Sequence, residues 1–313
     1  MQKKILLSNL HLKDFGGSEL VTIELAEYFA SQGHLVTVYS PLLGHPVIGS
    51  TKHHPNPFLY SQEVPKNLWD FDLIWSHHNL LLDQIHSFNK RDHQIIVSNH
   101  MSSYVREEFP TYNADKVDFI FANSPETIDK MPAAHKAKAQ VFANPAPRLK
   151  KTQQAGNAKL FGLCVSNHIP SELRSFLYAN ADKVRSTHIG RGGQFTLRLS
   201  PSELKNVGCD FVICNGKTVQ YALSAGIPVF LYDQFGGPGW LTEDNFERAA
   251  KFNFSGRGFV SSPAEMKMKS RQILETLFDI KLRQPIAMTP ERNERFILED
   301  WMQKHANILG LET

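Results

Sequence analysis

The stretch from Cys209 to Trp240, CDFVICNGKTVQYALSAGIPVFLYDQFGGPGW, decides the fold. Phe211 to Cys214 is an apolar run of strand length, and Asn215-Gly216 is a tight turn. Lys217 to Ala225 is helical in pattern, with Val219, Ala222 and Leu223 at i, i+3 and i+4 giving one narrow apolar face. Gly226, with Pro228 two residues on, stops that helix, and Val229 to Tyr232 is a second apolar strand. Together they form a βαβ unit. A glycine turn feeding a helix N-terminus presents free backbone N–H groups and the positive end of the helix dipole, with Lys217 and Thr218 beside them. That arrangement suits a phosphate, and it equally suits a plain turn with Lys217 in solvent.

Outward from that unit, 313 residues are too many for one ordinary core and suit two domains of roughly 150 residues each. A net charge of +3 is too mild to argue for nucleic acid, though it suits an anionic ligand or a membrane surface. The N-terminus has two lysines but only a brief apolar run, so it reads as a first strand and not as a secretion signal. No run approaches the ~18 apolar residues of a membrane span. Cys164, Cys209 and Cys214 lie in or beside apolar strand segments, which predicts buried reduced thiols and a cytoplasmic protein. His53-His54 and His77-His78 are adjacent pairs without cysteine or carboxylate at ligand spacing, so no metal site is expected.

In chain order, Lys4 to Ser8 is a strand, HLKDFGGS at 11 to 18 is a loop with a glycine pair, and a helix follows with Glu19 in its first turn. Gly16 and Gly17 allow close backbone approach at the C-terminal edge of the sheet, where open α/β sheets bind ligands. Glu19 reads either as a general base or as a carboxylate favoured at a helix start. Residues 41 to 68 read as irregular. Short strands follow at Leu73 to Ser76, Ile95 to Ser98, Phe119 to Ala122 and Gln140 to Ala143, each ending in a polar group. Arg148 to Ala158 is polar and basic and reads as a linker. A second α/β series then runs from Leu160 to about residue 288, and Pro290 to Leu309 is helical. Asp70-Phe71-Asp72 has the form of a metal-binding triplet but directly precedes a buried strand, at the wrong end for a ligand.

Two strand-helix series joined by one linker and closed by a terminal helix resemble the GT-B fold of nucleotide-sugar-dependent glycosyltransferases. GGSELVTIELAEYFASQGHLVTVYS at 16 to 40 is similar to the opening of glycosyltransferase family 4, IIVSNHMSS at 95 to 103 to its strand ending in a histidine, and VFANPAP at 141 to 147 to its segment before the linker. The resemblance covers nearly the whole chain. It implies an α/β protein of two Rossmann-like domains facing a cleft. Residues 1–148 would form the acceptor side, 157–288 the donor side, and a C-terminal helix over about 290–313 would return to the first domain.

The resemblance also implies roles. His100 would stand near the donor sugar; from their own position, Glu107 and Glu108 follow the His100 loop and read as weaker base candidates than Glu19. Gln220 would face the nucleotide ribose, by analogy with inverting GT-B enzymes of peptidoglycan synthesis. Asp233 to Trp240 would form a sugar loop, with Asp233 accepting hydroxyls, Gly236 and Gly237 giving room and Trp240 a stacking face. The family's paired glutamates are missing, the second replaced by Gln220, and its basic pair for the diphosphate is not recognisable. Arg191, Lys217 or Arg257 would supply that charge, with Asn215, Gly216 and Thr218 completing the turn. The expected activity is metal-independent transfer of a hexosyl group to a glycan or lipid-linked acceptor, without a resident cofactor, in bacterial surface polysaccharide synthesis, with peripheral association at the inner face of the membrane. A UDP-sugar 2-epimerase of the same fold and a non-catalytic pseudo-glycosyltransferase are the alternatives, and retention or inversion stays open.

Overall fold

The computed structural model describes residues 1–77, 79–85, 90–102, 110–149 and 160–311. It divides into two compact units, Met1–Ala143 with Glu299–Thr313 and Asn144–Leu298. Unit 1 runs β1 (Lys4–Ser8), β2 (His11–Leu12), α1 (Gly17–Ser31), β3 (Leu35–Tyr39), β4 (Leu42–Leu43), α2 (His45–Thr51) and β5 (Leu59–Ser61). It continues through β6 (Leu73–His77), α3 (Leu82–Ile85), β7 (Ile95–His100), β8 (Phe119–Ala122), α4 (Pro125–Asp129), α5 (Ala133–Lys138) and β9 (Ala139–Val141). Its main sheet has the order β5-β3-β1-β6-β7-β8-β9 and is parallel throughout. Strands covered on both faces read as continuous apolar runs, which is why Leu6, Ile74, Ile96 and Ile120 are fully buried.

Unit 2 runs β10 (Phe161–Val165), α6 (Ser171–Ala179), β11 (Arg185–Ile189), α7 (Pro201–Val207), β12 (Phe211–Cys214), α8 (Lys217–Ala225), β13 (Val229–Asp233) and β14 (Gly236–Trp240). Helices α9 (Glu243–Lys251), α10 (Pro263–Glu275) and α11 (Pro290–Phe296) complete it, and α12 (Leu298–His305) follows. Its sheet has the order β11-β10-β12-β13-β14, parallel except for the β13–β14 hairpin. The βαβ unit from which the sequence was read lies here as β12-α8-β13, with Gly226 in the left-handed conformation ending α8 at φ 63°.

The structure departs from the sequence reading in four places. The stretch at 41 to 68, expected to be irregular, carries β4, α2 and β5. The expected helix from Pro290 to Leu309 is broken at Ile297, whose extended backbone forms a bridge to Ala146, with Ala146 N–H donating to Phe296 O and Leu298 N–H to Ala146 O, both at 2.8 Å. This clamp gathers Asn144 to Arg148 and α11 into unit 2, where the sequence placed both with the first domain. Only the chain from Glu299 onward lies in unit 1, anchored by Trp301, whose ring packs edge-on against Phe142 at 4.6 Å and Phe121 at 5.2 Å. The fourth departure is the glycine loop before Trp240, which is strand β14. Most of the expected linker, and Glu107 and Glu108, lie outside the described residues. Among the described residues no helix is long and apolar enough to cross a membrane.

Candidate functional site

Each parallel sheet has a point where the chain switches direction of growth, and the crevice at the strand C-termini there is where such sheets take ligands. In unit 1 it lies between β1 and β6, and in unit 2 between β10 and β12.

The unit 1 crevice is bordered by the loop from Asn9 to Gly16. Asn9 is buried and donates its side-chain amide to Thr22 Oγ1 at 2.9 Å, while the short β2–β4 pairing fixes the backbone of His11 opposite Leu42. Glu19, in the first turn of α1, is only 4% exposed. Its Oε1 stands 3.2 Å from His11 Nε2, and its Oε2 accepts from Ser18 Oγ at 2.9 Å. The His11 side chain is 37% exposed, so a buried carboxylate holds an imidazole whose outer side meets solvent. Gly16 precedes α1, and a Cβ there would lie 2.5 Å from Glu19 Oε2, so the glycine makes room for the carboxylate. Gly17 is the exposed first residue of the helix. His11 was not picked out by sequence reasoning, although it stands at the head of the quoted loop. The signal was a histidine eight positions before an acidic helix start.

The histidine that was picked out, His100, is fully buried. Its Nε2 lies 2.8 Å from Ser98 Oγ and 3.0 Å from Tyr112 Oη, and Tyr112 donates to Ser98 at 2.7 Å. Burial pushes the Tyr112 phenol far up, so it remains a donor. This closed triangle assigns His100 to the interior of unit 1 and corrects its expected position beside a sugar.

In unit 2 the switch-point crevice is bordered by Ser166 to His168 and by Asn215-Gly216. Gly190, after β11, has φ 130°, and a Cβ there would sit 2.2 Å from Ser166 O. The loop it begins carries exposed Arg191, whose backbone N–H donates to Asn167 Oδ1 at 3.0 Å. Gly216 has φ 54° and ψ −131°, a conformation that a Cβ would not tolerate, and Thr218 is half-exposed in the first turn of α8. The structure therefore brings Arg191, Asn215, Gly216 and Thr218 to one sheet edge.

Other expected residues are taken up by unit 2 itself. Lys217 is 5% exposed and donates its ammonium to the carbonyls of Asn144 at 3.1 Å and Pro145 at 2.6 Å, so it clips the first residues of the unit to α8 and does not face a phosphate. Gln220 is fully buried; with its amide turned to satisfy both partners it donates to Gly216 O at 2.5 Å and Lys217 O at 2.9 Å, closing the helix start where a ribose was expected. Asp233 accepts from Phe235 N–H at 2.8 Å, Asn215 Nδ2 at 3.1 Å, Ser255 Oγ at 2.7 Å and Gly256 N–H at 3.1 Å. Three of these donors meet Oδ2 and one meets Oδ1, so Asp233 ties three loops of unit 2 together. Arg257 is half-buried, donating to Phe252 O at 3.3 Å beside the Phe235 ring.

Trp240 is 2% exposed, packed edge-on against Phe211 and Phe230 at 5.4 and 5.2 Å, with its indole N–H donating to Thr276 O at 2.7 Å. It is a core residue and not a stacking face. The glycines before it serve packing: a Cβ on Gly237 would lie 2.1 Å from Leu231 O, and one on Gly236 would lie 2.8 Å from Val260.

The fold is that of solved glycosyltransferases. A glycosyltransferase from Rickettsia africae is 12% identical over 98% of this chain and 98% of its own, with a TM-score of 0.59. Sucrose-phosphate synthase from Thermosynechococcus elongatus is 13% identical over 88% of this chain and 95% of its own, with a TM-score of 0.51. No protein-family model and no curated protein matches the sequence. At such identities the likeness concerns the fold, and that fold is GT-B.

Proposed function

We propose that this protein is a metal-independent glycosyltransferase that moves a hexosyl group from a nucleotide-sugar donor to a hydroxyl of a glycan or lipid-linked acceptor, in building a bacterial surface polysaccharide such as lipopolysaccharide or capsule. The observation that carries the reading is the His11–Glu19 pair, set on a switch-point loop of a GT-B fold. In this reading His11 takes the proton of the acceptor hydroxyl as its oxygen bonds to the anomeric carbon, and the bond from that carbon to the nucleoside diphosphate breaks. Glu19 orients the ring and balances the charge that it takes up with the proton, so the outcome is inversion. The side chain of Arg191 and the start of α8 stabilise the departing diphosphate.

The test is donor consumption over a panel of nucleotide sugars, with and without acceptor glycans. His11→Gln should lower turnover by roughly 10²- to 10⁴-fold, the range of a general base, while affinity for the free nucleoside diphosphate holds. Undiminished turnover in His11→Gln sinks the reading. A second reading, a GT-B protein that binds partners without catalysis, is favoured by the internal engagement of Lys217, Gln220, Asp233 and Trp240. Failure to bind any nucleotide, with no donor turnover, would select it.

A further inference from the structure

Strand β11 is an edge of the unit 2 sheet, and Leu173 and Leu177 of α6 share a core cluster with Cys164 of β10 and Val184. Between β11 and α6 runs a groove of about 650 Å³, lined by Ile169, Arg174, Leu177, Tyr178, Ser186 and His188 among others. It extends from the glycine loop after β11 down to Val184, before the start of that strand. Its lower half is thus remote from the C-terminal strand edge at which a parallel sheet takes its usual ligand.

The lining is chemically one-sided. Among the described residues that form it none is acidic. Arg174 is exposed on α6, and its positive charge is felt by the Cys164 thiol in the groove lining, which burial pushes up to about 12 and Arg174 draws partly back. Arg185, whose guanidinium lies over the Phe161 ring at 4.1 Å, is a second cation of the lining beside Arg174. His188 donates from Nε2 to Ser166 O at 2.7 Å, so its Nδ1 is the ring atom left for another partner. Leu177, Val184 and Cys164 supply an apolar floor.

The C-terminal end of this edge is already paired. His188 N–H donates to Gln194 Oε1 at 2.7 Å, Gln194 N–H donates to His188 O at 2.9 Å, and Gly190 N–H donates to Phe195 O at 2.8 Å. The chain thereby closes its own ladder at the end of β11, and what remains is a pocket of small-molecule size.

We propose that this groove binds a small organic anion, a carboxylate or phosphate monoester carrying an apolar group, with Arg174 taking the anionic head and the Leu177–Val184 floor taking the apolar part. The proposal does not rest on the glycosyltransferase reading, although Gly192 and Gly193 at the upper end of the groove neighbour Arg191 of that reading. Calorimetry on the full chain with octanoate, phenyl phosphate and inorganic phosphate tests it. At least one of the two amphipathic probes should bind saturably, and which of them binds identifies the head group. Inorganic phosphate should bind about tenfold or more weakly, since it lacks the apolar part. Arg174→Glu, a surface change on α6, should weaken the bound probe by about tenfold or more, and Ser186→Trp, which fills the groove, should do the same. UDP should not displace the probe. The proposal is overturned if neither amphipathic probe binds, if Arg174→Glu binds as the parent does, if inorganic phosphate binds equally well, or if UDP competes.

Discussion

Unit 1 and unit 2 both place polar side chains at the C-terminal ends of parallel strands, and the His11–Glu19 pair of the one and the Lys217, Gln220 and Asp233 side chains of the other are used in opposite ways. In unit 1 a buried carboxylate, Glu19, holds the half-exposed ring of His11, so one end of the pair still faces solvent. In unit 2 the ammonium of Lys217, the carboxylate of Asp233 and the amide of Gln220 all end on the chain's own groups. A buried polar group without a partner costs about 1–3 kcal/mol, so loops that are pressed together consume their polar side chains, and a free one marks a loop with room. Residue type and position alone do not separate these cases. Burial does.

The sharpest way to break this comparison is Trp240→Ala. As a core residue it should cost unit 2 about 3–5 kcal/mol, measured by chemical denaturation, with the indole fluorescence of the buried site lost. A stacking residue on a sugar loop would leave stability nearly unchanged and lower transfer alone, and that result would return Trp240 to the surface. Next in size is Lys217→Met, which keeps most of the side-chain volume and leaves the carbonyls of Asn144 and Pro145 without their cationic donor. Stability should fall by about 1–3 kcal/mol. If stability holds while nucleoside diphosphate binding drops, Lys217 faces the phosphate after all and the two units are alike.

Much of the fold was legible because its signals are local and redundant. The strands at Lys4–Ser8, Phe119–Ala122 and Phe211–Cys214 lie where the apolar runs placed them, and α8 begins and ends at the predicted residues. Gly226 and Pro228 could stop a helix in only one place. The site was less legible, since its outcome rests on contacts between distant residues. Nothing near Lys217 in sequence shows that Asn144 and Pro145 will meet it, and nothing in FGGPGW distinguishes glycines that admit a ligand from glycines that admit α10. The helix break at Ile297 has the same origin, a bridge to a residue about 150 positions earlier.

The smallest expected effect belongs to unit 1 and sharpens the rule at the level of one proton. His34 follows the Gly33 stop of α1 and accepts the Lys3 backbone N–H at Nδ1, at 3.3 Å, which requires a neutral ring. Burial lowers its pKa below the ordinary 6.5, helped by the N-terminal ammonium and Lys3 and opposed by Asp72. The unfolded chain therefore binds a proton that the folded chain resists, and stability should fall as pH drops below about 6.5 and be fully present above it. His34→Gln keeps a hydrogen-bond acceptor but cannot titrate. Its melting temperature should decline less than that of the parent between pH 7.5 and 5.5, by a degree or two on the order of a single weakly shifted group. Parallel curves for the two proteins would mean that the folded ring takes up its proton as readily as the unfolded one, so that burial in unit 1 does not resist the charge.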